Sequence, residues 1–220
     1  MKADAVPLLD LFEKKMRLEV PLFQRQYVWT REQQWEPLWE DIARKCAEFI
    51  AGRVDGPVHF LGAMVLDQKQ TPATHVEKRQ VIDGQQRLIT LQIVLGAMRD
   101  FARASGCDEI AQEFETFTLN SGRMAAPEID KFKVWPTQLD RDYFVDVMTL
   151  GAKARVEEKY PLVYQRYQRK PDRRPRIVEA YLYFYDEVAE LFLGTPDAQA
   201  SVSECPLDWP FAGFPELIAC

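Results

Sequence analysis

The chain has 220 residues and a mass of 25.6 kDa, with 28 Lys and Arg against 34 Asp and Glu, a formal net charge of -6. A hydrophobic fraction of 47% and an aromatic fraction of 12% are enough for a buried core, which excludes wholesale disorder. No apolar run is long enough to span a bilayer, and residues 1–20 are too charged for a secretory signal, so the expected location is the cytoplasm, with Cys46, Cys107, Cys205 and Cys220 as reduced thiols.

In chain order, residues 6–16 read as a short amphipathic helix. Residues 17–28 are β-rich, but Pro21 turns the strand into a loop. Thr30 with Gln33 makes a capping-box pattern ahead of a helix carrying Trp35, Leu38, Trp39, Ile42 and Cys46, with Pro37 as a possible bend. Residues 58–67 predict a strand buried on both faces, and 79–83 a second strand. From residue 85 to 104 the apolar period becomes helical, and Gly106 supplies a stop. Residues 108–118 predict another helix and 131–135 a short strand. Thr137 is the expected cap of a helix through Leu150. Pro175 and Gly194 bracket a helix whose apolar side carries Ile177, Tyr181, Phe184, Tyr185, Val188 and Phe192. The tail, 195–220, reads as a linker that still holds Trp209, Phe211, Phe214 and Ile218.

The charge is unevenly spread. Residues 1–150 are net -4, residues 151–176 are net +6, and residues 177–220 contain no Lys or Arg and are net -8. The basic block interleaves Arg166, Arg169, Lys170, Arg173 and Arg174 with Tyr160, Tyr164 and Tyr167, a composition suited to a nucleic-acid backbone. A solvated connector is the plain alternative.

One segment carries chemistry. In Val81-Ile82-Asp83-Gly84-Gln85-Gln86-Arg87-Leu88 a strand ends in Asp-Gly and a helix begins at once. A helix N-terminus exposes unpaired amides and a partial positive charge that attract phosphate. Gly84 lets a ligand approach the backbone, Arg87 can pair with phosphate oxygens, Asp83 can hold magnesium, and Gln85 and Gln86 can place a water. The chain contains no P-loop, and an ordinary Asp-Gly turn is the competing reading. A second cluster, Pro21 to Trp29, sets Gln24 and Arg25 among aromatics. Arg25 could clamp a phosphate, and Tyr27 or Trp29 could line an apolar slot. Equally, Phe23, Tyr27 and Trp29 could be core. A zinc site is disfavoured, because two His and four Cys lie too far apart for metal spacing.

The strings Val20-Pro21-Leu22-Phe23-Gln24-Arg25-Gln26-Tyr27-Val28-Trp29 and Val81 to Leu91, with Phe60-Leu61-Gly62 between them, resemble the domain of unknown function 262. This is the N-terminal domain of GmrSD-type modification-dependent restriction proteins, of BrxU and of the phosphorothioate-sensing SspE. The resemblance covers about residues 5–150. It implies an α+β (α/β) fold similar to ParB and sulfiredoxin: a small mixed sheet surrounded by helices, here with an added C-terminal helical part. It further implies hydrolysis of a nucleoside triphosphate, GTP or ATP, with magnesium, at Asp83, Gln85, Gln86 and Arg87. Gly84, Arg87, Gln24 and Arg25 would bind the nucleotide, and Pro21, Gln24, Tyr27 and Trp29 would sense modified double-stranded DNA. An SspE-like phosphorothioate sensor is favoured over a GmrSD-like sensor of modified bases.

The implied organisation is a ParB-like NTPase and DNA-sensing domain over 1–150, a basic segment and helical extension over 151–194, and a linker over 195–220 toward a nuclease domain. His59 and His75 do not form an HNH arrangement, so cleavage is assigned to that separate domain. Two further readings stay open: a binding module that never turns nucleotide over, and a structural domain packing on a nuclease or toxin.

Overall fold

A computed structural model describes residues 5–52, 60–72, 75–164 and 171–193. Helix α1 (Leu8–Glu13) leads into strand β1 (Met16–Glu19). A loop then reaches a π-helical turn (Arg31–Trp35) that continues as α2 (Glu36–Ile50). Next come β2 (Val65–Gln68), β3 (Glu77–Asp83), α3 (Gln85–Ala104) and α4 (Asp108–Thr118). The order closes with α5 (Pro127–Asp130), β4 (Val134–Trp135), α6 (Arg141–Thr149), α7 (Lys153–Lys159) and α8 (Arg176–Leu193).

The four strands form one mixed sheet in the order β2-β3-β1-β4. β1 runs parallel to β3 and to β4, and β2 pairs antiparallel with β3. Helices surround this small sheet, as the α+β expectation requires.

Helix α3 is the axis of the core. Leu88, Ile89, Leu91, Ile93, Val94, Leu95, Ala97, Met98, Phe101 and Ala102 are all buried, so apolar residues occupy nearly every side of it. It packs against α4, α6 and α8. Gly96 leaves room for Met148 of α6, because a Cβ there would stand 3.1 Å from the Met148 sulfur. Helix α8 buries Ile177, Tyr181, Phe184 and Val188 in the same core, while Tyr185 and Phe192 pack at its edge. No helix among the described residues is long and apolar enough to cross a membrane.

Several elements differ from the sequence reading, each for a physical reason. Of the run 58–67, expected to be a strand buried on both faces, residues 58 and 59 lie outside the described residues and 60–64 form no strand. Only Val65–Gln68 pairs, as an edge strand with β3 as its neighbour, and its last two residues are exposed. Strand β1 ends at Glu19, so most of 17–28 is loop. Thr30 makes no side-chain cap. Instead its N–H donates to Gln34 Oε1 at 2.9 Å, one residue beyond the expected Gln33. The π-helical turn lies immediately ahead of α2, whose second residue Pro37 has no N–H to donate. Helix α6 begins after Asp140, and Thr137 bonds to the Asp140 carboxylate rather than capping the helix itself. The segment 131–135 narrows to Val134–Trp135. The start of the basic block is helix α7, which the sequence reading did not anticipate. Cys107 is disulfide-bonded, so the expectation of four reduced thiols fails there. The linker 195–220 and the Gly194 stop lie outside the described residues.

Candidate functional site

The site is built where β3 runs into α3. Asp83 ends the strand, and Gly84 turns the chain with φ +95°, a left-handed conformation that side chains rarely adopt. A Cβ at Gly84 would also meet Met64 Cγ at 2.9 Å. The turn leaves the first amides of a 20-residue helix without intrahelical acceptors. Asp83 stands at this end with its side chain 70% exposed.

Gln85 and Gln86 point inward, and their amides hold the neighbouring loop. Gln86 accepts from the Val28 N–H at 2.9 Å and donates to the Gln26 carbonyl at 3.1 Å, replacing the bonds a β-ladder would make. Gln85 donates to the Arg25 carbonyl at 3.2 Å. Its Oε1 is buried with no hydrogen-bond partner. Gln24 donates to the Ile82 carbonyl at 3.1 Å, pinning the loop to the end of β3. The segment Gln24–Val28 is therefore seated by three side-chain amide contacts from the N-terminus of α3 and one to the end of β3. Arg25 and Gln26 face solvent, and the tight turn before them presents Leu22 and Phe23 to water.

Arg87 holds a second loop. Its two terminal nitrogens donate to the Leu61 carbonyl at 2.8 Å and the Ala63 carbonyl at 2.6 Å, while Asp83 lies 3.9 Å away. Gly62, between those carbonyls, has φ +95°, and a Cβ there would fall 1.8 Å from Arg87 Nη1. The Phe60-Leu61-Gly62 string and the Asp-Gly-Gln-Gln-Arg string are thus two halves of one contact.

Of the expected sensing residues, Pro21 and Tyr27 are buried. The Tyr27 hydroxyl bonds to Thr90 Oγ1 at 2.7 Å and accepts from Trp35 Nε1 at 2.9 Å, and burial raises its pKa well above the usual phenol value. Its N–H donates to Asp140 at 2.8 Å. Tyr27 is a bolt for the loop, in line with the core alternative. Phe23 goes against that alternative, being 80% exposed, and Arg25 is exposed as well. Trp29 lines an apolar cavity of about 140 Å³ with Leu38, Phe60, Leu61, Arg87 and Leu91. Pro21 and Tyr27 are not among the residues that line this cavity.

Several described residues of the basic block bond to other parts of the chain. Arg176 donates to the Val28 carbonyl at 3.1 Å, Arg174 to the Tyr160 carbonyl at 2.6 Å, and Lys159 pairs with Asp146 at 2.7 Å. Arg173 is exposed. Arg166, Arg169 and Lys170 lie outside the described residues. Asp140, Thr90, Arg176 and Gly62 support the site without having been singled out for it from the sequence. Gly62 and Thr90 carried a signal only as members of the two strings that bear the family resemblance.

No group of three or more His, Cys, Asp or Glu able to hold a metal occurs among the described residues, so a divalent ion here would draw on Asp83 and on ligand oxygens. Burial pushes the Cys46 thiol up to about 12, which keeps it protonated at neutral pH and disqualifies it as a nucleophile.

Compared with curated proteins, the chain gives no match. The model of the GmrSD restriction endonuclease N-terminal domain matches residues 8–207, spanning the β3–α3 junction and both loops seated on it. The chain belongs to this family of restriction-endonuclease N-terminal domains, and its role lies in restriction.

Proposed function

We propose that the domain is the nucleoside-triphosphate-hydrolysing sensor of a cytoplasmic anti-phage restriction protein. In this reading it recognises modified double-stranded DNA and licenses cleavage by a separate C-terminal nuclease domain. The observation that carries the reading is the docking of the Gln24–Val28 loop onto the N-terminus of α3 by Gln85 and Gln86. A segment exposed to DNA and a phosphate-attracting helix end are thereby one mechanical unit.

The phosphates of GTP or ATP lie on the free amides of α3, where Gly84 clears the approach. Asp83 would be the residue that holds a magnesium ion here, and the ion would offset charge on the phosphates. Arg25, exposed beside Gln24, counters the charge that builds on the γ-phosphoryl group. A water oxygen bonds to the γ-phosphorus as the bond to the bridging oxygen breaks, giving a nucleoside diphosphate and inorganic phosphate. Both amide atoms of Gln86 are already committed, whereas Gln85 Oε1 has no partner. Gln85 is therefore the residue that receives a hydrogen bond from the attacking water once DNA shifts the loop covering it. Arg87 is a positioning residue, since its terminal nitrogens hold the loop at residues 61–63.

Phosphate release with GTP, ATP and CTP, each with and without modified DNA, tests this directly. Wild type is expected to hydrolyse at least one of them, faster with its cognate DNA, and Asp83→Asn and Arg25→Ala to stop hydrolysis while leaving the fold intact. A non-catalytic binding module would show no release under any condition. Comparing phosphorothioate, base-modified and plain duplexes of one sequence decides the modification. The phosphorothioate version requires tighter binding of the sulfur-bearing duplex. Equal affinity for it and the plain duplex assigns the sensor to modified bases.

A further inference from the structure

The cavity beside Arg87 has chemistry that the hydrolytic mechanism does not use. Its walls are Trp29, Leu38, Phe60, Leu61, Arg87 and Leu91. Arg87 is the one charged side chain among them, and both of its terminal nitrogens already donate to the carbonyls of Leu61 and Ala63. What it still offers a ligand is mainly the flat face of its guanidinium. Two aromatic rings, three leucines and a guanidinium plane suit a flat π-system better than a charged or flexible group. Phe60 is 80% exposed although it lines the cavity. A large apolar ring left in water at the edge of an apolar hollow is costly unless something covers it.

Size and place narrow the occupant. A volume of about 140 Å³ admits a single ring system but not a whole nucleotide with its phosphates. Typical pockets for larger ligands run from about 300 Å³ upward. Arg87 and Leu91 lie one and two turns into α3, roughly 5–10 Å along the helix from Gly84. A base in the cavity and phosphates at the end of α3 can therefore belong to one molecule.

We infer that this cavity is a nucleobase slot, in which a base stacks on the Trp29 and Phe60 rings and the Arg87 plane. The inference deepens the proposed nucleotide site and rests on it for its neighbour, the phosphate end of α3. The same ring chemistry is available from a free nucleotide or from a base extruded from bound DNA. Stacking of this kind tolerates sequence, because every base has a π-face. The slot therefore supplies affinity without strong choice among bases.

The test titrates the full chain with GTP, ATP, guanosine and inorganic tripolyphosphate. A parallel arm uses a modified duplex carrying 2-aminopurine, whose fluorescence rises when the base leaves the stack. Phe60→Ala removes the exposed ring, and Phe60→Trp retains an aromatic there. If the slot takes the base of the nucleotide, the triphosphates bind about tenfold tighter than tripolyphosphate. Phe60→Ala then erases that advantage without changing tripolyphosphate affinity, and Phe60→Trp preserves it. If the slot takes a DNA base instead, the 2-aminopurine signal rises with wild type and Phe60→Trp, and fails with Phe60→Ala. Equal binding of triphosphates and tripolyphosphate, together with an unchanged 2-aminopurine signal, overturns the slot and leaves the phosphate site standing. Phe60-dependent binding of guanosine without tripolyphosphate binding has the opposite meaning: it supports the slot and removes the phosphate site.

Discussion

The two ends of α3 solve different problems with similar chemical means. At its last turns, charged groups lie in the core. Arg99 is buried, donating to Asp100 at 2.8 Å, to Thr118 Oγ1 at 3.3 Å and to the Met148 carbonyl at 3.0 Å. Tyr181 on α8 donates to the other Asp100 oxygen at 2.8 Å, and burial drives its pKa far above the usual phenol value. This network ties α3 to α4, α6 and α8 with each charge matched. At the first turn, Gln85, Gln86 and Arg87 also reach distant segments, but they bond to loop backbone near solvent. Buried charge that is fully paired is hard to rearrange. Neutral amide bonds to loop backbone contribute about 0.5–1.5 kcal/mol each and can be exchanged. Rearranging the charged network at one end therefore costs more than exchanging the amide contacts at the other.

The contrast is open to attack by substitution. Arg99→Ala leaves Asp100 buried beside a lost partner and is expected to destabilise the fold by about 3–5 kcal/mol in urea unfolding. A loss under about 1 kcal/mol would show that the far end is not held by this network. Gly62→Ala forces the Arg87 guanidinium aside and strains a left-handed residue, at a cost of about 1–3 kcal/mol. It should also abolish nucleotide hydrolysis, because the loop at 61–63 and Arg87 move together. Gln86→Ala removes two loop contacts and should lower stability by about 1–3 kcal/mol. Amide exchange at Val28 should rise strongly in this variant, while exchange at the α3–α8 contact stays slow. Asp83→Asn is expected to change stability by less than about 0.5 kcal/mol, since the side chain is largely in water. Its effect should fall on hydrolysis alone, which makes it the cleanest separation of site from scaffold.

The sequence made α3 legible because a long apolar period runs between two turn-forming glycines, Gly84 and Gly106, both with positive φ. The Asp-Gly-Gln-Gln-Arg and Gln-Arg strings were likewise legible as one site, and the loop geometry brings them together. The direction of their side chains was not. Gln86 and Arg87 bond to backbone carbonyls 24 to 60 residues away, and a carbonyl has no sequence signature. Aromatic residues misled for a related reason. Phe23 and Tyr27 share one short loop, yet Phe23 is in water while Tyr27 is fixed by Thr90, Trp35 and Asp140. Within the basic block, Arg174 and Arg176 bond to backbone carbonyls, a partner with no sequence signature, while Arg173 stays exposed. Phe60 and Leu61 add to the apolar pattern ahead of β2 because they line a cavity rather than a strand face.

The Asp83 end of α3 is the proposed hydrolytic centre. Phosphate release from GTP and ATP, measured with cognate modified DNA for wild type and Asp83→Asn at matched stability, tests it in one comparison. The account predicts DNA-stimulated release by wild type and a loss of at least about a hundredfold in the variant. Release by Asp83→Asn at the wild-type rate would contradict it and move the hydrolytic centre away from α3.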